Sequence, residues 1–173
     1  MIENGNFCTL PNSNAQILAP VEELDYFDSQ TTRLSKSISP LEAWNLMMSR
    51  PMPVLSLAFR LRDAISSRFG VKKIGGFSGA RRTTIAQGEK LDFFLVEYAS
   101  EDVLSLSERD RHLDVLTCLS RQGNELTITS SVKTHNAFGR IYMLPVAPAH
   151  RLIVRTLLRD LRNKHSQGNP LSD

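Results

Sequence analysis

PVAPAHRLIVRTLLRDLRNK, Pro145 to Lys164, is the longest helical pattern in the chain. Ala149, Ile153, Leu157 and Leu161 fall on one side with Val154 and Leu158 beside them, while Arg151, Arg155, Arg159 and Arg162 line the other. A helix of that length must lay its apolar stripe on a second layer, and the residues before it supply one. Leu91 to Ala99, Val103 to Ser107, Leu113 to Ser120 and Leu126 to Thr134 read as strands, with Gln122-Gly123-Asn124 as the clearest hairpin turn. They imply an antiparallel meander, and Phe138 to Leu144 reads as one more extended piece.

Further back, Phe27 to Ser37 alternates like a strand. Ser39-Pro40-Leu41-Glu42 then starts a helix in which Ser caps and Pro takes the first position. Leu41, Trp44, Met47 and Met48 follow at helical spacing. A second helix is expected from Val54 to Phe69, stopped by Gly70. Val71 to Lys90 is a Gly-rich basic connection without the residue order of a phosphate-binding loop. Strand, two helices, curved antiparallel strands and a long last helix is the order of a helix-grip, START-like α+β fold, with a ferredoxin-like α+β sandwich as the alternative. The domains expected are an extended arm over 1–25, one α+β domain over 26–164 and a flexible tail over 165–173.

With 173 residues the chain suits one core, and its 41% apolar and 23% charged shares match a globular protein. No apolar run is long enough to span a bilayer, and Glu3 and Asn4 stand where a signal peptide would be basic, so a cytoplasmic protein with no membrane partner is expected. Cys8 and Cys118 have no metal-ligand spacing. Neither a metal nor a cofactor is expected. The net charge of +3 is uneven: residues 1–32 hold acidic groups and no Lys or Arg, whereas the last helix is rich in arginine. With few aromatics among those arginines, nucleic acid is not the expected partner. An acidic protein segment is, taken up by Arg151, Arg155 and Arg159; the chain's own Glu22 to Asp28 would serve.

All four histidines lie beyond residue 111, and three of them, His112, His135 and His150, fall at the ends of apolar segments. His112 and Asp114, one residue apart on a strand, share a face, the arrangement in which a carboxylate prepares an imidazole as a general base; a plain polar pair at a sheet edge is the structural alternative. Counting outward from the Gly123 turn places residue 112 opposite the 134–136 region, so His135 is its expected neighbour. Asn136 suits the turn out of the sheet, and Gly139 marks a bend or a close backbone approach. Arg140 and Tyr142 would share a face and orient a ligand. His150 would face the sheet from the last helix.

In order, Asp110-Arg111-His112-Leu113-Asp114, His135-Asn136 with Gly139-Arg140 and Tyr142, and Pro148-Ala149-His150-Arg151 resemble the bacterial domain-of-unknown-function family 2867, which shares "RHLD", "THN..GR.Y" and "P.HR" signatures. The resemblance runs from Tyr26 to Leu161. It departs at Ala149, where the family usually has Phe. It brings no established activity, and since the chain has no G-x-G-x-x-G, no dinucleotide site is expected. The leading expectation is a binding module for a small, largely apolar or amphipathic molecule held between sheet and last helix, oriented by His135, Arg140, Tyr142 and His150. An enzyme using His112 and Asp114 as general base is the alternative, and an interaction domain using the arginine face is a second. The oligomeric state is open.

Overall fold

The computed structural model describes residues 7–49 and 78–167. The expected helix from Val54 to Phe69 and the first part of the Gly-rich connection lie outside the described residues. The elements in chain order are β1 (Cys8–Thr9), β2 (Gln16–Ile17), a short 3-10 turn (Val21–Glu23), β3 (Tyr26–Arg33), α1 (Pro40–Met48), β4 (Lys90–Leu91), β5 (Phe94–Ala99), β6 (Val103–Arg109), β7 (Leu113–Gln122), β8 (Glu125–Thr134) and α2 (Ala137–Gln167). The protein is α+β: β1 and β2 make a two-stranded sheet, and the other six strands form an antiparallel sheet in the order β3-β8-β7-β6-β5-β4.

Local chemistry accounts for the boundaries. Ser39 holds an extended backbone and its Oγ accepts the Glu42 N–H at 3.2 Å, with Pro40 at the first helical position, so α1 starts where its cap and its proline require. Gln122 pairs with Glu125, leaving Gly123 and Asn124 as a two-residue turn. Gly123 sits at φ +59°, in the left-handed region such turns demand. The register shifts between Val96 and Tyr98, a bulge that bends β5 and adds twist to the sheet.

Side chains alternate across the strands, so the sheet has two differently covered faces. The inner face presents Leu104, Leu106, Leu119, Leu126 and Ile128 to Trp44 and Met47 of α1 and to Ile153, Val154, Leu157, Leu158 and Leu161 of α2. Each such fully buried aliphatic side chain contributes about 1.5–3 kcal/mol. The outer face is covered by the N-terminal segment. Ala15 packs with Val103 and Cys118, the Gln16 N–H donates to Cys118 Sγ at 3.2 Å, and the Leu18 N–H donates to Ser131 Oγ at 3.1 Å. Through these contacts residues 15–18 are part of the packing of the sheet.

One element differs outright from its expectation. Phe138 to Leu144 is not extended; it forms the first turns of α2, which begins at Ala137 and runs through Pro145 and Pro148. Each proline leaves the carbonyl four residues earlier without its N–H. Those carbonyls belong to Ile141 and Leu144, which are 66% and 74% exposed, so water can serve them. The earlier start also changes the helix's inward face: Ala149 is exposed, and Met143, Val146, Ala147 and His150 continue the stripe instead.

Candidate functional site

The first two signature stretches meet at the end of the β7–β8 pair, where the chain leaves the sheet for α2. Leu113 pairs with Thr134, and the His135 N–H donates to the His112 carbonyl at 2.8 Å, so residues 112 and 135 do face each other as counted from the turn. Asp110 Oδ1 accepts the N–H groups of His112 and Leu113, at 2.7 and 3.0 Å, and folds the entry to β7. Asn136 is the N-cap of α2: its Oδ1 accepts the Gly139 N–H at 3.0 Å while its Nδ2 donates to the Arg111 carbonyl at 3.0 Å. One amide thereby ties the helix start to the neighbouring strand.

Gly139 is required by contact. A Cβ there would lie 2.4 Å from the His112 carbonyl oxygen and 3.2 Å from Thr134 Cβ, so only glycine lets α2 come this close to the sheet.

The side chains pair differently from the simplest reading of the sequence. Asp114 takes His135 rather than His112 as its partner, His135 Nε2 lying 3.1 Å from Asp114 Oδ1. Both nitrogens of His112 are engaged. Arg111 Nε donates to its Nε2 at 2.9 Å, and its Nδ1 lies 3.0 Å from Asn136 Nδ2 and 3.2 Å from Asn136 Oδ1. The His112 ring also packs against Phe138, centroids 4.5 Å apart, and Phe138 stacks on Tyr142 at 6.3 Å. His112 thus joins Arg111, Asn136 and Phe138 where β7 meets α2.

Arg140 and Tyr142 do not share a face, because two residues along a helix are separated by roughly 200° of rotation. Tyr142 joins Tyr26, Val132 and Met143 in an apolar cluster. Arg140 is exposed and adds a favourable charge to Asp25, whose carboxyl is held below the usual range chiefly because it accepts the Thr134 N–H, at 2.7 Å. Of the arginine face, Arg151 Nε meets Asp28 Oδ1 at 3.0 Å, Arg159 reaches its helical neighbour Asp160 at 3.5 Å, and Arg155 is exposed. Glu23 and Asp25 turn to β8 instead, Glu23 pairing with Lys133 at 3.3 Å and Asp25 accepting the Thr134 N–H.

His150 does not join His112 and His135. It lies 13 residues into α2, about 20 Å from the helix start, over the inner face of the sheet. There its ring meets Tyr26 edge-on, centroids 6.0 Å apart. This part of the inner face has a composition that the alternation rule does not foresee. Tyr26, Val132 and Val115 are opposite one another across β3, β8 and β7, as are Gln30, Ile128 and Leu119; between these two rows lie Asp28, Ser130 and Thr117. Cross-strand neighbours on one face stand about 5 Å apart. The three therefore form a polar band that separates the apolar cluster around Met143 from the cluster around Leu157.

Two side-chain atoms of this region, Ser130 Oγ and His150 Nδ1, are sealed from solvent and have no hydrogen-bond partner in the protein. Such a group costs about 1–3 kcal/mol unless something pairs with it. Burial depresses the His150 pKa, opposed by the Asp28 charge, so the ring is neutral. Burial, reinforced by Asp28, likewise pushes the Tyr26 phenol up to about 12. Asp28 itself is compensated: Oδ1 by Arg151, and Oδ2 by Gln30 Nε2 at 2.6 Å. The sequence points to none of Ser130, Gln30 and Tyr26 as site residues, and to Asp28 only as part of the acidic segment that could meet the arginine face, where it does meet Arg151. The available signal was Ser130, the polar member of the inward series Leu126, Ile128, Ser130, Val132.

Among the described residues no three His, Cys, Asp or Glu side chains are grouped so as to hold a metal ion, and no helix is long and apolar enough to cross a membrane. No curated protein and no solved structure matches the chain. The family model described as "Protein of unknown function (DUF2867)" matches residues 20–157, a span that takes in both the β7–α2 junction and the polar band. That is well over half of the molecule, and the chain belongs to the DUF2867 family.

Proposed function

We propose that the protein is a binding module for a small, largely apolar molecule held between the inner face of the sheet and α2. The observation that carries this reading is the pair of sealed polar atoms, Ser130 Oγ and His150 Nδ1, in a polar band flanked by apolar clusters. Ligand pockets have this composition: mostly apolar walls and a few polar groups that fix orientation. The strand order supports a helix-grip arrangement, in which the first strand pairs with the last and a long terminal helix crosses the concave face. Five consecutive antiparallel strands fit it better than the two split βαβ units of a ferredoxin-like sandwich. The junction of His112, Asn136 and Gly139 then has a mechanical role: it fixes where α2 leaves the sheet, and so the height of the helix above the band.

Native mass spectrometry of protein purified without denaturation tests the reading. The expected result is a bound mass that is released on unfolding and reduced in a Ser130→Val, His150→Phe double variant. A protein that carries no extra mass and whose Ser130 and His150 resonances ignore a panel of small hydrophobic compounds would overturn it.

A second reading, an enzyme acting by proton transfer, is favoured by the 3.1 Å contact between His135 and Asp114. Its site would be the outer face, since Asp114 and His135 alternate away from α2. Turnover that survives Ser130→Val but is abolished by Asp114→Asn would favour it over the binding module.

A further inference from the structure

We infer that the molecule bound beneath α2 is uncharged and carries at least one hydroxyl group directed at Ser130 and His150. This rests on the binding-module reading and adds the chemical class of the ligand.

Charge balance around the band points to a neutral ligand. Asp28 and Arg151 are the charged pair beside it, and they are matched to each other through the 3.0 Å contact of Nε with Oδ1. The second carboxylate oxygen accepts Gln30 Nε2, which also donates to the Arg151 carbonyl at 3.0 Å, so the pair is held from both sides. An anionic ligand would meet the Asp28 charge while its natural counterion, Arg151, is already taken. A cationic one would have to displace Arg151 from Asp28. The neighbouring phenol and imidazole add no charge, because burial keeps both neutral.

The unpartnered atoms specify the polar group. Ser130 is 2% exposed, and its hydroxyl can donate or accept. Neutral His150 offers Nδ1 as donor or acceptor according to tautomer. A ligand hydroxyl has the same two-way capacity and can pair with each of them in either state. A hydrocarbon would leave both atoms unpaired, and a group that only accepts would fix the tautomer of His150. The Tyr26 hydroxyl is not a competitor, since it donates to the Ala147 carbonyl at 3.4 Å.

The test compares three probes of one shape, 2-naphthol, naphthalene and 2-naphthoate, by calorimetric titration of the full-length protein at neutral pH, with Ser130 and His150 followed by NMR. The expected order is naphthol tightest, naphthalene about tenfold weaker, as one unmade hydrogen bond implies, and naphthoate weakest. Ser130→Ala should narrow the naphthol advantage and leave naphthalene binding unchanged. Should that variant fold poorly, Ser130→Thr, which keeps the hydroxyl, should preserve the order. Naphthoate binding as tightly as naphthol while shifting the Ser130 and His150 signals would overturn the ligand class and leave the binding module standing. If none of the three shifts those signals, the module and the ligand class fall together.

Discussion

Replacing Gly139 by alanine tests whether the β7–α2 junction is as tight as described. In an open helix this change is favourable by about 1 kcal/mol, because alanine loses less backbone entropy. Here the added Cβ would lie 2.4 Å from the His112 carbonyl oxygen, and that atom is backbone. It cannot rotate away as a side-chain tip would. The same oxygen accepts the His135 N–H at 2.8 Å, so moving it breaks the last rung of the β7–β8 pair. Forcing a methyl into packed structure costs about 1–3 kcal/mol, and the weakened hydrogen bond about 1 kcal/mol more. After subtracting the propensity gain, a net destabilisation of about 1–3 kcal/mol remains. For a domain of this size that lowers Tm by roughly 5 °C. Thermal denaturation reads the loss, and hydrogen exchange should show faster opening at the His135 amide. A Gly139→Ala protein that melts at or above the parent temperature, or that loses stability with the His135 amide still protected, would refute the argument.

Three further outcomes are expected. Asn136→Ala removes the N-cap of α2 together with its bond to the Arg111 carbonyl, and should cost about 1–2 kcal/mol by urea denaturation, with the loss appearing first at the start of α2. The depressed His150 pKa gives a signed pH dependence: the unfolded chain takes up the proton more readily, so stability from this residue is complete above its ordinary value of 6.5 and is lost as pH falls below it; His150→Phe should flatten the acid limb of a stability profile. Tyr26 works in the opposite direction. Its folded phenol ionises near 12 against an ordinary 10.0, so stability is lost as pH rises between those values, and Tyr26→Phe should remove both that slope and the late component of the tyrosinate absorbance titration.

Much of the fold was legible where neighbouring residues determine the geometry. The Ser39-Pro40 start carries its own cap, and the Gly123 turn fixed the β7–β8 register well enough to place residue 112 opposite 135. The start of α2 was not legible. Pro145 is a strong local signal for a first helical position, whereas the true cap, Asn136, is recognisable only beside the Arg111 carbonyl on another strand. The same limit hid the pairing at the junction, because strand alternation suggests a shared face for His112 and Asp114, whereas Asp114 reaches diagonally to His135 and the His112 ring packs on Phe138 of α2. The polar band was hidden for a related reason. Asp28, Ser130 and Thr117 come from three strands and become a row only once the sheet is in register.

Ser130 and His150 are proposed to face a bound molecule beneath α2. The most direct measurement is a crystal structure of the protein purified in its native state, read for density between Ser130 Oγ and His150 Nδ1. The expected result is extended density for a polyatomic ligand whose polar end lies within hydrogen-bond distance of both atoms. Side chains closed over the polar band, or a single ordered water bridging the two atoms with nothing beyond it, would contradict it.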